Sequence, residues 1–458
     1  MQGTVDFLDP NSEMIALSGG SNTKNLLITA VQIRGPVDEE LVKLAVTTAV
    51  EGFPRLRSCL GEMKTKGRHR LHWHPRPDLE FPVNVSDLKN HEISTPLLDA
   101  VLNHLAPILD RDWDLREELP GELHLVRVSN DLHVAAIVVH HAAFDGASAS
   151  EFGRCCVMQY KEMIEGIKTD SVHRQADSLS TSRKRTVEVR KHRWENMLTS
   201  ARLALMPVMS KPTLPAGSGL PQEHAQYHVK RVLSVEETAR IGMSSLKKRG
   251  AFIDALTACS SLTIERWNER RNVKTKNVTT ALTMNIRGRY QDFDHSNSVS
   301  ALFFESCPKD RKDRRNLVHS ISIARINQLR KQMDLKHYDN VARMVGCTSF
   351  LSFNKRRKIV HSIVRKHQFS MAITLLGVVW PVMKNGKPTL DSHPSNIGQA
   401  HITEIHGVGY KLIGSTPLVL TVYSYVNRLN FVMATSGWLF TRSEADAFMD
   451  LFMETLSG

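Results

Sequence analysis

His140-His141-Ala142-Ala143-Phe144-Asp145-Gly146 follows directly on the apolar run Val134-Ala135-Ala136-Ile137-Val138-Val139. The apolar run has the length and flanks of a buried strand, so the paired histidines stand at a strand's mouth. An imidazole held there has the chemistry of a general base. After Gly146, small and apolar residues through Ala147, Phe152 and Val157 read as a helix, which places the run at a strand-to-helix junction.

Working outward, Asn130-Asp131 reads as a hairpin turn joining this strand to one over Glu122 to Val128, and Asp110-Arg111-Asp112-Trp113-Asp114-Leu115 is a polar connection out of a helix at Leu97 to Leu109. Asn25 to Arg34 alternates as a strand, and Gly35-Pro36 ends it. The helix that follows, Val37 to Gly52, takes Asp38 as N-cap and buries a stripe of Leu41, Leu44, Ala45 and Ala49. His72 and His74 share one face of an edge strand, but no third ligand is spaced to join them, so no metal site is expected.

A stretch from 168 to 221 changes character, with Ser/Thr clusters, Arg183-Lys184-Arg185, a helical piece near Trp194 to Met206, and four prolines at 207, 212, 215 and 221. It reads as a crossover linker between a first half, 1–167, and a second, 222–458. In the second half a strand from Gln226 to Leu233 precedes a helix capped by Ser234 with Glu237, then come a helix at Phe252 to Trp267 and a strand at Val278 to Asn285. Asn354 to Gln368 is a basic amphipathic helix with a solvated cationic face over Ile359, Val360, Ile363 and Val364. Strands at Leu418 to Tyr425 and Leu429 to Thr435 and a helix at Ser443 to Leu456 close the chain. Strands and helices are mixed in both halves, an α/β architecture of α+β two-layer type.

At 458 residues the chain exceeds what one core organises, so two subdomains with a cleft between them are expected. Hydrophobic content of 41% and charged content of 23% exclude wholesale disorder. The N-terminus lacks a basic segment followed by an apolar core, and no apolar window approaches the ~18 residues of a membrane span, so a cytoplasmic protein without a transmembrane segment is expected. Six cysteines without a Cys-x-x-Cys pair agree with a reducing compartment. A net charge of +13 favours anionic partners, but no basic and aromatic interleaving points to nucleic acid.

The His140–Gly146 run, its strand and its place in the chain resemble the HHxxxDG acyltransferases of the condensation-domain, BAHD and alcohol-acetyltransferase superfamily, and in particular its stand-alone members. Phe53-Pro54-Arg55-Leu56-Arg57 is similar to the end of that family's opening element, Trp113-Asp114-Leu115 to its Asp-Leu before the central strand, and Met284-Asn285-Ile286-Arg287-Gly288-Arg289 to its Asn-x-Arg-x-Arg segment. Ser395-Asn396-Ile397-Gly398 resembles the Ser-Asn-x-Gly of stand-alone members. The Asp-Phe-Gly-Trp-Gly signature of plant-type members is absent, Glu404-Ile405-His406-Gly407-Val408-Gly409 lying in its neighbourhood, and so is the Pro-Leu-Trp segment of wax-ester synthases.

The resemblance implies two chloramphenicol-acetyltransferase-like halves with a tunnel between them and acyl transfer from a thioester to a hydroxyl or amine. His141 is then the general base and Asp145 its companion in the catalytic motif, while His140 packs. Asp145 either orients His141 or forms an ion pair with Arg287, and the family favours the pair. Gly146 keeps a channel open or takes a positive φ, the plain alternative being a turn glycine. Asn396 and Ser395 are the oxyanion candidates. Ser148, Ser150, Cys155 and Cys156 need not act as nucleophiles, because a thiolate is already a good leaving group. No permanently bound cofactor is expected. The co-substrate is a coenzyme A thioester, or an acyl carrier protein in a condensation or ester-forming relative, and Arg55, Arg289 and Lys355 to Lys358 are candidates to meet its phosphates. The acceptor is a small alcohol or amine, and a monomer suffices. A non-catalytic binding module of the same fold is the reading from another class.

Overall fold

The structure, a computed structural model, describes residues 6–20, 23–88, 96–166, 211–220, 225–247, 250–287, 297–366, 369–384, 387–392, 396–412 and 417–458. Most of the expected linker, with its helix near Trp194, lies outside the described residues, as do Ser395, Gly288 and Arg289.

The first half runs β1 (Asp6–Phe7), α1 (Pro10–Ser18), β2 (Leu26–Arg34), α2 (Glu39–Glu51), β3 (Ser58–Thr65), β4 (Arg68–Pro75), β5 (Val83–Asp87), α3 (Leu97–Leu109), β6 (Gly121–Ser129), β7 (Leu132–His140) and α4 (Gly146–Glu165). β6 and β7 form the hairpin expected at Asn130-Asp131. Asp38 caps α2 by accepting the Leu41 N–H at 3.0 Å. The stripe α2 buries is rotated from the expected one: Val42, Ala45, Val46, Ala49 and Val50 face the core, and Leu44 is 53% exposed. Spacings of three and four residues fit either face, and packing against α4 selects the β-branched one. β4 is the centre of a three-stranded sheet with β1 and β3, so His72 and His74 do not lie on an edge strand.

The second half runs β8 (Gln226–Val232), α5 (Val235–Lys247), α6 (Phe252–Glu269), β9 (Val278–Asn285), β10 (Val299–Ser306), α7 (Arg314–Arg330), α8 (Met333–Thr348) and α9 (Phe353–Lys366). It continues with β11 (Met371–Val378), β12 (Pro381–Lys384), β13 (Lys387–Ser392), β14 (Asn396–Ile397), β15 (Ala400–Tyr410), β16 (Leu418–Tyr425), β17 (Arg428–Ser436) and α10 (Arg442–Ser457). Ser234 and Glu237 exchange hydrogen bonds at the start of α5, and Thr441 with Glu444 does the same for α10. The basic face of α9 is not all solvated. Arg356 is fully buried, its guanidinium bonded to the Glu13 carboxylate and the His69 carbonyl, which ties α9 to α1 and β4.

Two six-stranded mixed sheets organise these elements, one ordered β14-β15-β2-β7-β6-β5 and the other β10-β9-β11-β16-β17-β8. Each has its own apolar core, the first around Phe144, Phe152 and the β2–β7 residues, the second around Trp267, Phe440, Phe448 and Phe452. β14 and β15 fall in the second half of the sequence but belong to the first half's sheet. β15 pairs with β2 along nine residues, His401 opposite Arg34 through to Tyr410 opposite Leu26. That leaves β2 paired on both edges, with every residue from Leu26 to Val31 buried.

Candidate active site

The His140–Gly146 run takes shape from backbone bonding at the end of β7. His140 closes the strand, and its N–H donates to the Pro120 carbonyl at 2.8 Å. Its Nδ1 accepts the Ala142 N–H at 3.1 Å, which leaves the ring neutral with its proton on Nε2. Burial pushes its pKa down to about 3. His140 is thus held as a buried, neutral turn element. His141, next along, donates its N–H to the Asn25 carbonyl at 2.7 Å, and its own carbonyl accepts from the side-chain amide of Asn297 in the second half. Its side chain lines a cavity of about 130 Å³ between the two halves. Burial lowers its pKa as well, opposed by the neighbouring backbone carbonyls and by the charge of Asp145. Nδ1 is the buried ring nitrogen and has no hydrogen-bond partner among the described residues, which leaves Nε2 as the nitrogen that can face a ligand.

Asp145 is the N-cap of α4 and is fully buried. Its Oδ1 accepts the Ser148 N–H at 3.0 Å, and Oδ2 accepts the Ser298 N–H at 3.1 Å and lies 2.7 Å from Arg287 Nη1. Arg287, itself 5% exposed, also donates from Nη2 to Ser148 Oγ at 2.8 Å. The ion pair with Arg287 that the resemblance favours is thus present: the two oxygens of Asp145 are engaged by three donors, and among the described residues no hydrogen bond joins it to His141, so the alternative in which it orients His141 is not the one seen. A buried carboxylate needs such partners to offset its desolvation. Because Ser298 and Arg287 come from the second half, the cluster also fastens the halves together. Gly146 does not have a positive φ. A Cβ there would lie 3.1 Å from Leu376 Cδ2, a tight contact with the end of a flexible side chain, and Gly146 lines the cavity described above.

Asn396 does not reach this cavity. It sits exposed on β14 opposite His401, which pairs with Arg34, whereas His140 pairs with Leu26 at the other end of β2. Eight residues of strand separate these ends by roughly 26 Å. The expectation of an oxyanion donor at Asn396 fails because strand register carries it to the far end of the sheet, and Ser395 lies outside the described residues. Besides His141, the polar residues that do line the cavity are Thr29, Ser150, Thr283, Asn285, Arg287, Thr374, Thr421 and Tyr423. Arg55 is likewise not a surface cation: it is 7% exposed and held between Asp6 and Asp9. Burial pushes the Cys155 thiol up to about 12 and raises Cys156 well above the usual thiol range, which disfavours the thiolate form of both.

Two features escaped the sequence reading. Gly407 and Gly409, with Ile405, line the cavity from β15, their missing side chains leaving the space. Alternate glycines ending a strand pattern were the available signal. On the other side of the pair, a second cavity of about 180 Å³ is lined by His140, Trp113-Asp114-Leu115, and the cations Lys24, Arg111, Arg116 and Arg357. The histidine pair thus stands between an apolar chamber and a polar one.

No family model matches the chain. A stretch of 192 residues, 39% of the chain, is 22% identical to the nonribosomal peptide synthetase TES of Alternaria alternata, and 152 residues are 26% identical to CymA of Salinispora arenicola (strain CNS-205), a probable non-canonical nonribosomal peptide synthetase. The chain spans only 3% and 2% of the lengths of these relatives. Over nearly its whole length it superposes on solved structures at low identity. The first condensation domain of the CDA synthetase matches with a TM-score of 0.72 at 14% identity, covering 99% of this chain and 96% of that one. TRI3 trichothecene 15-O-acetyltransferase of Fusarium sporotrichioides matches at 0.70 and 11%, covering 98% and 94%. The condensation domain of the monacolin K polyketide synthase MokA matches at 0.64 and 12%, covering 99% and 97%. The chain therefore has the two-halved fold of condensation domains, and the superfamily resemblance drawn from the sequence holds at the level of fold. No helix among the described residues is long and apolar enough to cross a membrane.

Proposed function

We propose that the chain is an acyltransferase that moves an acyl group from a pantetheinyl thioester, in the first instance acyl-CoA, to a hydroxyl or amine acceptor, with His141 as general base. The observation that carries this reading is the position of His141, whose side chain lines a chamber between the halves and whose backbone is bonded on both sides, to Asn25 and to Asn297. A base must be neutral to accept a proton, and the burial that lowers the His141 pKa keeps it so at pH 7. As the acceptor attacks the thioester carbonyl, Nε2 takes its proton. The tetrahedral intermediate then collapses, and the thiolate leaves with a proton returned from the imidazolium. Donor and acceptor are bound together, and no acyl-enzyme forms. The net charge of +13 supports approach by an anionic donor, whether coenzyme A or a carrier protein.

His141→Ala tests the reading, with free thiol release from a panel of acyl-CoAs as the measurement. The expected outcome is a folded protein whose turnover is down by roughly 10²-fold or more. Full retained activity would remove His141 as base. In the native enzyme the acid limb of the rate–pH profile should have its midpoint below 6.5, because the base is lost only when His141 protonates below its ordinary value.

A further inference from the structure

The chamber beside His141 owes its shape to an irregularity in β11. The parallel pairing of β11 with β16 slips between Leu375 and Gly377, leaving Leu376 as an extra residue, and Gly377 has a φ of 77°. Bulges re-aim the side chains they carry and are rare in parallel pairs. β11 also stops pairing with β9 at Ile373 opposite Leu282. Past that point Thr283 and Asn285 from β9 and Leu375 and Leu376 from β11 line the chamber.

Leu376 reaches the other half of the molecule. A Cβ on Gly146 would lie 3.1 Å from its Cδ2, and a Cβ on Gly407 would lie 3.5 Å from its Cδ1. Its isobutyl group therefore sits between the start of α4 and β15, packed against the first half's core. Apolar residues outnumber the polar ones named above in the remaining wall, and the one guanidinium in it, that of Arg287, is engaged by Asp145. Such a chamber suits a hydrocarbon chain, which asks for no polar partner, better than a polar acceptor.

We infer that Leu376 is a specificity-determining residue that closes the acyl pocket and restricts the donor to short chains, an inference that rests on the acyl-transfer reading. The size sets the limit: an apolar cavity of ~150 Å³ holds one benzene, so a chamber of about 130 Å³ accommodates a chain of roughly six carbons. The test uses acetyl-, hexanoyl- and decanoyl-pantetheine thioesters, which need neither coenzyme A phosphates nor a carrier protein, with dissociation constants measured by calorimetry. The native protein should bind the first two and disfavour decanoyl. Leu376→Ala should shift the decanoyl-to-acetyl affinity ratio by roughly tenfold or more towards decanoyl, and Leu376→Met, which conserves volume, should leave the ratio near the native one. Gly407→Ala fits against Leu376 at ordinary contact distance and shrinks the pocket, so hexanoyl should weaken relative to acetyl. It carries the test should Leu376→Ala fail to fold. A decanoyl ratio unmoved in folded Leu376→Ala, or a hexanoyl ratio unmoved in Gly407→Ala, overturns the role of Leu376 while leaving acyl transfer standing. Failure of the native protein to bind any of the thioesters overturns the acyl reading, and this inference with it.

Discussion

Asp145 shows how much one buried side chain can hold. Its carboxylate caps a 20-residue helix, accepts a backbone N–H from the second half and neutralises Arg287, all without solvent. Asp145→Asn keeps the shape but strands the guanidinium, so a loss of about 3 to 5 kcal/mol is expected, read as a lowered urea midpoint. Arg287→Ala should cost a similar amount, and the double variant less than the sum of the two, because both remove one interaction. An unchanged midpoint for Asp145→Asn would show that the pair does not hold the halves together. The residues of this cluster could be picked out because the His140–Gly146 run and the Asn285–Arg289 segment resemble a known family's motifs, and that resemblance implied that Asp145 meets Arg287. The distance of Asn396 from His141 depends on strand register, which residue type does not encode.

At the scale of elements, hydrophobic periodicity placed most of the strands and helices it singled out to within a residue or two, since burial of one face is a local property of the pattern, but α1, α7, α8, β10, β11 and β15 were not among them. It could not decide which of two adjacent faces α2 buries, nor that Arg356 of α9 points inward, because the partner surface decides both. The contact between β8 and β15 was equally hidden. There His228 lies with Nε2 3.4 Å from the Gly409 carbonyl, and Lys230 meets Glu404 at 2.8 Å. Burial lowers His228 to about 4, and burial together with the nearby Lys230 charge holds His406 well below its usual value. A folded-state pKa below the unfolded one means that the unfolded chain binds more protons between the two values, so stability falls as pH drops from about 6.5 towards 4. Each such histidine contributes up to ~1.4 kcal/mol per pH unit. Urea midpoints at pH 7.5 and 5.5 should therefore differ, and His228→Gln should narrow the gap. A flat midpoint across that window would contradict burial of neutral histidines at this contact.

For the molecule as a whole, the two halves are not separable pieces, because β15 from the second supplies a strand to the first. Residues 1–220 alone would present β2, a buried strand, with one edge unpaired, a template for aggregation. The expected result is insoluble material on separate expression and recovery of soluble complex when residues 225–458 are supplied in trans. Solubility and a cooperative melt of 1–220 alone would contradict the exchange. By itself, the sequence determined the alternation of strands and helices and the mixed α/β class, because pattern and residue type are local quantities, while its resemblance to a known family is what grouped His141, Asp145, Gly146 and Arg287. Only the tertiary structure decided that the Asp145–Arg287 pair also takes in the Ser148 and Ser298 N–H groups, that Asn396 is remote, and that glycines of β15 and Leu376 of β11 shape the chamber. Those outcomes depend on strand exchange and register between segments more than a hundred residues apart, where the free energy lies in contacts that no local pattern records.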